Sequence, residues 1–252
     1  MSGGATPGPV RLSTEDAVAT IALDPPGARF DRATLDALER ACGALAEDRD
    51  RVYAVVVAPA GADLGLGWGD DARGGAEGGG ALDALAALPQ PTVCAVRGRA
   101  LSGGLELALA CDLRVAERGA VLALPEVAEG RVPGGGGTQR LPRAVGVSQA
   151  LRLLLTSEEI DAAEALRIGL VSEIAPPGGA VDAARAVARR IAARGPVAVR
   201  VAKEAVARGI ELPLPQALRL EHDLTVLLQA TADREEGVRA FLERRPPRFE
   251  GR

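Results

Sequence analysis

Two glutamates raise the question of chemistry. Glu106 interrupts the apolar run "GGLELALACD" just after a Ser-Gly-Gly turn, and Glu126 follows the extended segment "AVLALP". A carboxylate in an apolar helix is either a charge near the helix start, where the dipole favours it, or an acid–base group. Backbone N–H groups in the first turn of a helix lack intrahelical partners and are positively polarised, so they suit a developing oxyanion. Glycine lets a ligand approach that backbone closely. A second glycine-rich turn, "LGLGWGDD" (Leu64–Asp71), follows a buried strand, so the two turns could build one oxyanion hole with Glu106 about one helical turn beyond it. From spacing alone both readings of Glu106 stay open. Glu126 could equally be a solvated strand-end residue, and Glu129 a surface charge or an extra acid–base group. Trp68, the one tryptophan, is expected to wall the pocket beside the first turn or simply to pack.

Composition removes other mechanisms. The single histidine, His222, lies in the amphipathic helical pattern "ALRLEHDLTVLLQA", and no nucleophile elbow accompanies it. Ser–His–Asp and Cys–His catalysis and zinc hydrolysis are therefore not expected, and no metal ligands are assigned. The glycine runs lack both the lysine of a phosphate loop and the spacing of a dinucleotide fingerprint. With 30 basic and 34 acidic residues the net charge is −4, which argues against a general nucleic-acid binder. Lys203 is the one lysine among the basic residues; with the excess of Ala and Gly, this reads as coding bias rather than an adaptation to phosphate. Cys42, Cys94 and Cys111 sit in apolar patterns without metal-ligand spacing and are expected to be free, buried thiols. No signal peptide is visible, and no apolar stretch approaches the roughly 18 residues of a membrane span. A cytoplasmic protein with no membrane partner is expected.

The elements that must position the glutamates are legible as periodicities. After about ten residues expected to be disordered, "VRLSTEDAVATIAL" predicts a hairpin turning at Thr14–Asp16. "TLDALERACGALAED" has helical period, with Leu35, Leu38, Ala41, Cys42 and Leu45 on one face. "VYAVVVA" and "PTVCAVRG" read as buried strands, "ALDALAAL" and "GGLELALA" as helices, and "LRVAE" and "AVLALPEV" as short strands. Residues Gly69–Gly80 are expected to be mobile without ligand, because little apolar surface anchors them. Ser157 is expected to open a helix, followed by a strand, in "TSEEIDAAEALRIGLVSEIAP", "VDAARAVARRIAARG" to be an amphipathic helix ending at Gly195, and the chain from Pro196 to be nearly all helical until "RRPPRF". With 47% hydrophobic residues but 2% aromatic, the core must be Ala, Val and Leu. Strands alternating with helices make the class α/β; no exact internal repeat is obvious.

The segments "ALSGGLELALACDLRVA", "PEVAEGRVPGGGGTQRLPRAVG" and "DREEGVRAFLERRPPRF", in that order, resemble the enoyl-CoA hydratase/isomerase (crotonase) family. The resemblance implies a crotonase-type spiral of ββα units over residues 1–195 and a helical C-terminal region over 196–252 that builds homotrimers or homohexamers. It implies an acyl-CoA thioester substrate, with CoA arriving as part of that substrate and no separate cofactor. It also implies that two backbone N–H groups stabilise a thioester enolate. Carried over by position, one donor is Gly103. The other is Leu66 if "LGLGWGD" is laid on the family's Phe-Ser-Ala-Gly-x-Asp, or lies within Ala60–Leu64 if "AGADL" is used. Glu106 and Glu126 match the two glutamates of the family's hydratases, and Arg29, Gly67, Trp68 and Gly69 fall on substrate-binding positions. Leu66 replaces a small residue, Gly69 the usual Asp, and Phe30 a frequent Asn. The implied activity is reversible syn-addition of water to a 2-trans-enoyl-CoA; the alternatives are an isomerase of the same family or a silent acyl-CoA-binding subunit.

Overall fold

The computed structural model of the chain describes residues 8–72 and 76–252. Residues 1–7 and the centre of Gly69–Gly80, for which disorder and mobility are expected, lie outside them. Strand β1 (Val10–Glu15) turns through Asp16 and Ala17, both at positive φ, into β2 (Val18–Leu23). There follow β3 (Arg29–Phe30), helix α1 (Arg32–Glu47), β4 (Ala54–Pro59), β5 (Gly67–Trp68), α2 (Ala76–Ala86), β6 (Thr92–Val96), β7 (Arg99–Leu101) and α3 (Gly103–Ala110). Next come β8 (Leu113–Glu117), β9 (Val121–Ala123), a 3₁₀ turn over Pro125–Glu129, α4 (Gly137–Val145) and α5 (Val147–Thr156). The chain ends with β10 (Ile160–Asp161), α6 (Ala162–Arg167), β11 (Glu173–Ala175), α7 (Ala180–Ala192), α8 (Pro196–Gly209), α9 (Leu214–Leu228) and α10 (Ala232–Glu243).

A repeat does exist, in structure rather than in letters. Four times a long strand is followed by a short strand and a helix: β2-β3-α1, β4-β5-α2, β6-β7-α3 and β8-β9-α4. The long strands form a sheet in the order β1-β2-β4-β6-β8-β11, antiparallel at β1–β2 and parallel elsewhere. The short strands pair separately, β3 with β5 and β7 with β9, both parallel. Each turn of this spiral thus carries its second strand and helix start past those of the turn before.

The continuous apolar strands are explained by burial on both faces. Alternate residues of β4 and β6 go to opposite sides. Val55, Val57, Cys94 and Val96 join Leu35, Leu38, Cys42 and Leu45 of α1, whereas Val56, Ala58, Val93 and Ala95 meet Ala180, Ala184 and Ala188 of α7. Ala41 is only half-buried, at the margin of the α1 face. The three cysteines are free and buried.

Two local expectations are corrected. Ser157 does not open a helix; it ends α5 at φ 55°, and Asp161 caps α6 by accepting the Glu164 N–H at 2.8 Å. The helix expected from Ala81 starts at Ala76, inside the glycine-rich stretch. Lys203 on α8 donates to Asp112 at 2.7 Å and to the Gln90 carbonyl at 3.1 Å, so the lone lysine ties the C-terminal helices to the ends of the sheet strands. Among the described residues no helix is long and apolar enough to cross a membrane.

Candidate active site

The spiral brings together β5, the turn entering α3 and the 3₁₀ turn after β9. Ser102 takes φ 51°, ψ −120° before Gly103, the first residue of α3, whose N–H has no acceptor within the helix. The turns meet backbone to backbone. The Leu101 N–H donates to the Gly65 carbonyl at 2.8 Å, and a Cβ at Gly104 would lie 2.4 Å from that oxygen. A Cβ at Gly103 would come within 2.8 Å of the Trp68 ring. Glycine at 103 and 104 is therefore what allows the two turns to touch.

Glu106 is wholly buried, at 0% exposure, yet richly partnered. Its Oε1 accepts the N–H groups of Gly135 (2.7 Å) and Gly137 (2.8 Å), and Oε2 accepts Nε1–H of Trp68 (3.1 Å). Side chains at 135 or 137 would come within 3.0 Å of this carboxylate, so the run "PGGGG" is a backbone cradle for it. Burial raises the Glu106 carboxyl above its ordinary value, and the charge of Glu126 adds to this. The hydrogen bonds from Gly137, Gly135 and Trp68 pull the other way.

Glu126, in the 3₁₀ turn, is 1% exposed, and neither carboxyl oxygen has a hydrogen-bond partner among the described residues. Its charge bears on Glu106, so two buried carboxyls share one locality. Glu129 does not join them: it is exposed and paired with Arg131.

The two segments that could form the first oxyanion turn lie in different surroundings. Gly65–Trp68 lies against the α3 turn, whereas Ala60–Ala62 are exposed and Asp63 accepts the Arg99 N–H at 2.7 Å. Within that segment Leu66 is not a free donor, because its N–H is bound to the Ala28 carbonyl at 2.7 Å. The Gly69 N–H is likewise bound to Phe30 at 2.8 Å. Gly67 takes φ 133°, a conformation open to glycine. Arg29 is exposed, with Nη1 3.5 Å from the Trp68 carbonyl. Phe30 is buried against the Trp68 ring, their centroids 6.1 Å apart. A cleft of about 100 Å³ opens here, lined by Arg29, Leu66, Gly67, Trp68, Ser102 and Pro125, with Glu129 and Arg131 at its side. A larger cavity of about 670 Å³ beside α10 is walled by ion pairs, Arg245 with Glu236 and Arg239 with Glu235, and holds none of these groups. His222 is exposed on α9.

A crotonase fold whose stacked turns bury two carboxyls beside glycine-rich backbone defines the class: the chain belongs to the enoyl-CoA hydratase/isomerase family, which matches residues 14–252. It is 45% identical over 174 residues to human mitochondrial methylglutaconyl-CoA hydratase, spanning 68% of this chain and 51% of that protein. It is 44% identical over 165 residues to crotonyl-CoA hydratase of Syntrophomonas wolfei, spanning 66% and 64%. These matches thus cover less than two thirds of the relatives' own length. Among solved structures, enoyl-CoA hydratase from Bacillus anthracis superposes with a TM-score of 0.92 at 33% identity, covering 97% of this chain and 100% of that one. Pseudomonas aeruginosa DspI superposes at 0.91 with 37% identity, covering 98% and 99%.

Proposed function

We propose that the protein is an enoyl-CoA hydratase that adds water reversibly, in syn fashion, across the 2,3-double bond of a 2-trans-enoyl-CoA. The observation that carries this is the unequal pair: two buried carboxyls, one held by three donors and the other, among the described residues, by none. A buried carboxyl without partners is costly unless a ligand completes it. The N–H of Gly103 and a backbone N–H of the Gly65–Trp68 turn receive the thioester oxygen and stabilise the enolate. Glu106, whose three donors favour the carboxylate form, takes a proton from water as the oxygen bonds to C3. Glu126 delivers a proton to C2, and the proton gained by Glu106 later restores Glu126, so one water is consumed in all. CoA enters as part of the substrate, and these steps use no other cofactor. Relatives named as hydratases support the same reaction.

The test is loss of the conjugated thioester absorbance with crotonyl-CoA and a longer enoyl-CoA. Glu106→Gln and Glu126→Gln should each lower kcat by about 10²–10⁴-fold. One observation favours a second activity of the family: Glu126 has both oxygens open and could shuttle a proton alone, which is isomerase chemistry. Turnover of a 3-enoyl-CoA that survives Glu106→Gln but not Glu126→Gln would replace hydration by isomerisation.

Assembly as a homotrimer or homohexamer through α8–α10 belongs to the same proposal. It is supported by the exposed apolar side chains Val206, Leu214, Leu218, Leu227 and Phe241. Three unpaired thiols support a cytoplasmic location.

A further inference from the structure

Trp68 is the chain's one tryptophan, and its seat depends on two missing side chains. A Cβ at Gly103 would lie 2.8 Å from Cδ2 and Cε2 of its ring, and one at Gly135 would lie 2.6 Å from Cζ2. The indole is thus wedged between two backbone segments, with Phe30 behind it. That placement aims Nε1–H at Oε2 of Glu106. A carboxylate offers about four lone-pair sites. Gly135 and Gly137 fill both on Oε1, and Trp68 fills one on Oε2. A single acceptor site is left.

We propose, on the hydratase reading above, that Trp68 is a positioning residue: its indole N–H leaves Glu106 one acceptor site, on Oε2, and so fixes where the reacting water binds. The groups facing Glu106 leave this role to Trp68. Glu126 faces it from the 3₁₀ turn, with Arg131 acting in turn on Glu126. The segment leading into α4 supplies backbone N–H groups. Arg140 is committed to the Gly135 carbonyl at 2.8 Å and to Asp83 at 2.6 Å. From α2, Leu82 lies beside Gly135.

Trp68→Phe keeps a ring but removes the indole N–H. It should lower kcat about tenfold, as expected for a lost hydrogen bond to a charged group, while KM stays within about twofold. The acid limb of the kcat–pH profile should move up by about one pH unit, because a donor that favours the carboxylate is gone. An unchanged kcat and acid limb would overturn the proposal; a merely structural role would lower kcat without moving the limb. A second measurement does not depend on turnover. Since Trp68 is the sole indole, its emission should titrate with Glu106 in the wild type, and the transition should vanish in Glu106→Gln. Emission that titrates identically in both proteins would overturn the proposal even if hydration is confirmed. Absence of hydration with an intact emission difference would sink the hydratase reading alone.

Discussion

At the scale of single residues, the site is a set of local conflicts held in place by its surroundings. Ser102 adopts φ 51° where a side chain is disfavoured. Ser102→Gly should relieve about 1 kcal/mol of strain and raise Tm by about 2–4 °C in calorimetry; a lower Tm would show that the hydroxyl contributes more than the strain costs. Glu106 gives a pH dependence of stability. Burial, followed by the Glu126 charge, raises its folded-state value above the ordinary 4.5, so the folded chain binds more protons between the two values. Stability from protonated Glu106 is complete below 4.5 and is lost as pH rises through the raised value. In urea unfolding at stepped pH, the wild type should therefore lose stability relative to Glu106→Gln as pH increases. A constant difference between the two would exclude Glu106 as the source.

At the scale of elements, the prediction falls where two turns touch. Gly104→Ala places a methyl carbon 2.4 Å from the Gly65 carbonyl oxygen, a rigid neighbour. It should cost about 1–3 kcal/mol in urea denaturation and separate Gly103 from Trp68, so enoyl-CoA turnover should fall with it. Wild-type stability and rate would show that the backbones yield without cost. The same scale explains what could be read in advance. β-branched runs and the 3.6-residue period revealed β4, β6, α1 and α3, because those signals are local. The pairing of Trp68 with Glu106 spans 38 residues, and that of Gly135 with Glu106 spans 29. Such contacts are made by the spiral's rise and leave no periodic trace. The glycine run 134–137 was visible as a run, but its use as a cradle for Glu106 was not. The bond from the Leu66 N–H to the Ala28 carbonyl is hidden for a related reason: a backbone group's partner is set by the fold and not by its letter.

At the scale of the whole molecule, burial governs reactivity. Cys42, Cys94 and Cys111 share one core, and burial pushes the Cys42 thiol up to about 12. Ellman's reagent should label none of the 3 cysteines in the folded protein and all of them in guanidinium; rapid native labelling would mean that the core opens. Phe241 is 82% and Leu242 74% exposed on α10. Sedimentation equilibrium should give a multiple of 25.8 kDa, and a monomer at all concentrations would remove the assembly proposal. Glu126 sets a different limit. Among the described residues its carboxyl has no partner, and a buried carboxyl without partners opposes folding whether or not substrate arrives. A library screened for heat resistance alone should therefore be enriched in Gln, Met or Leu at position 126, and its most durable clones should be catalytically dead.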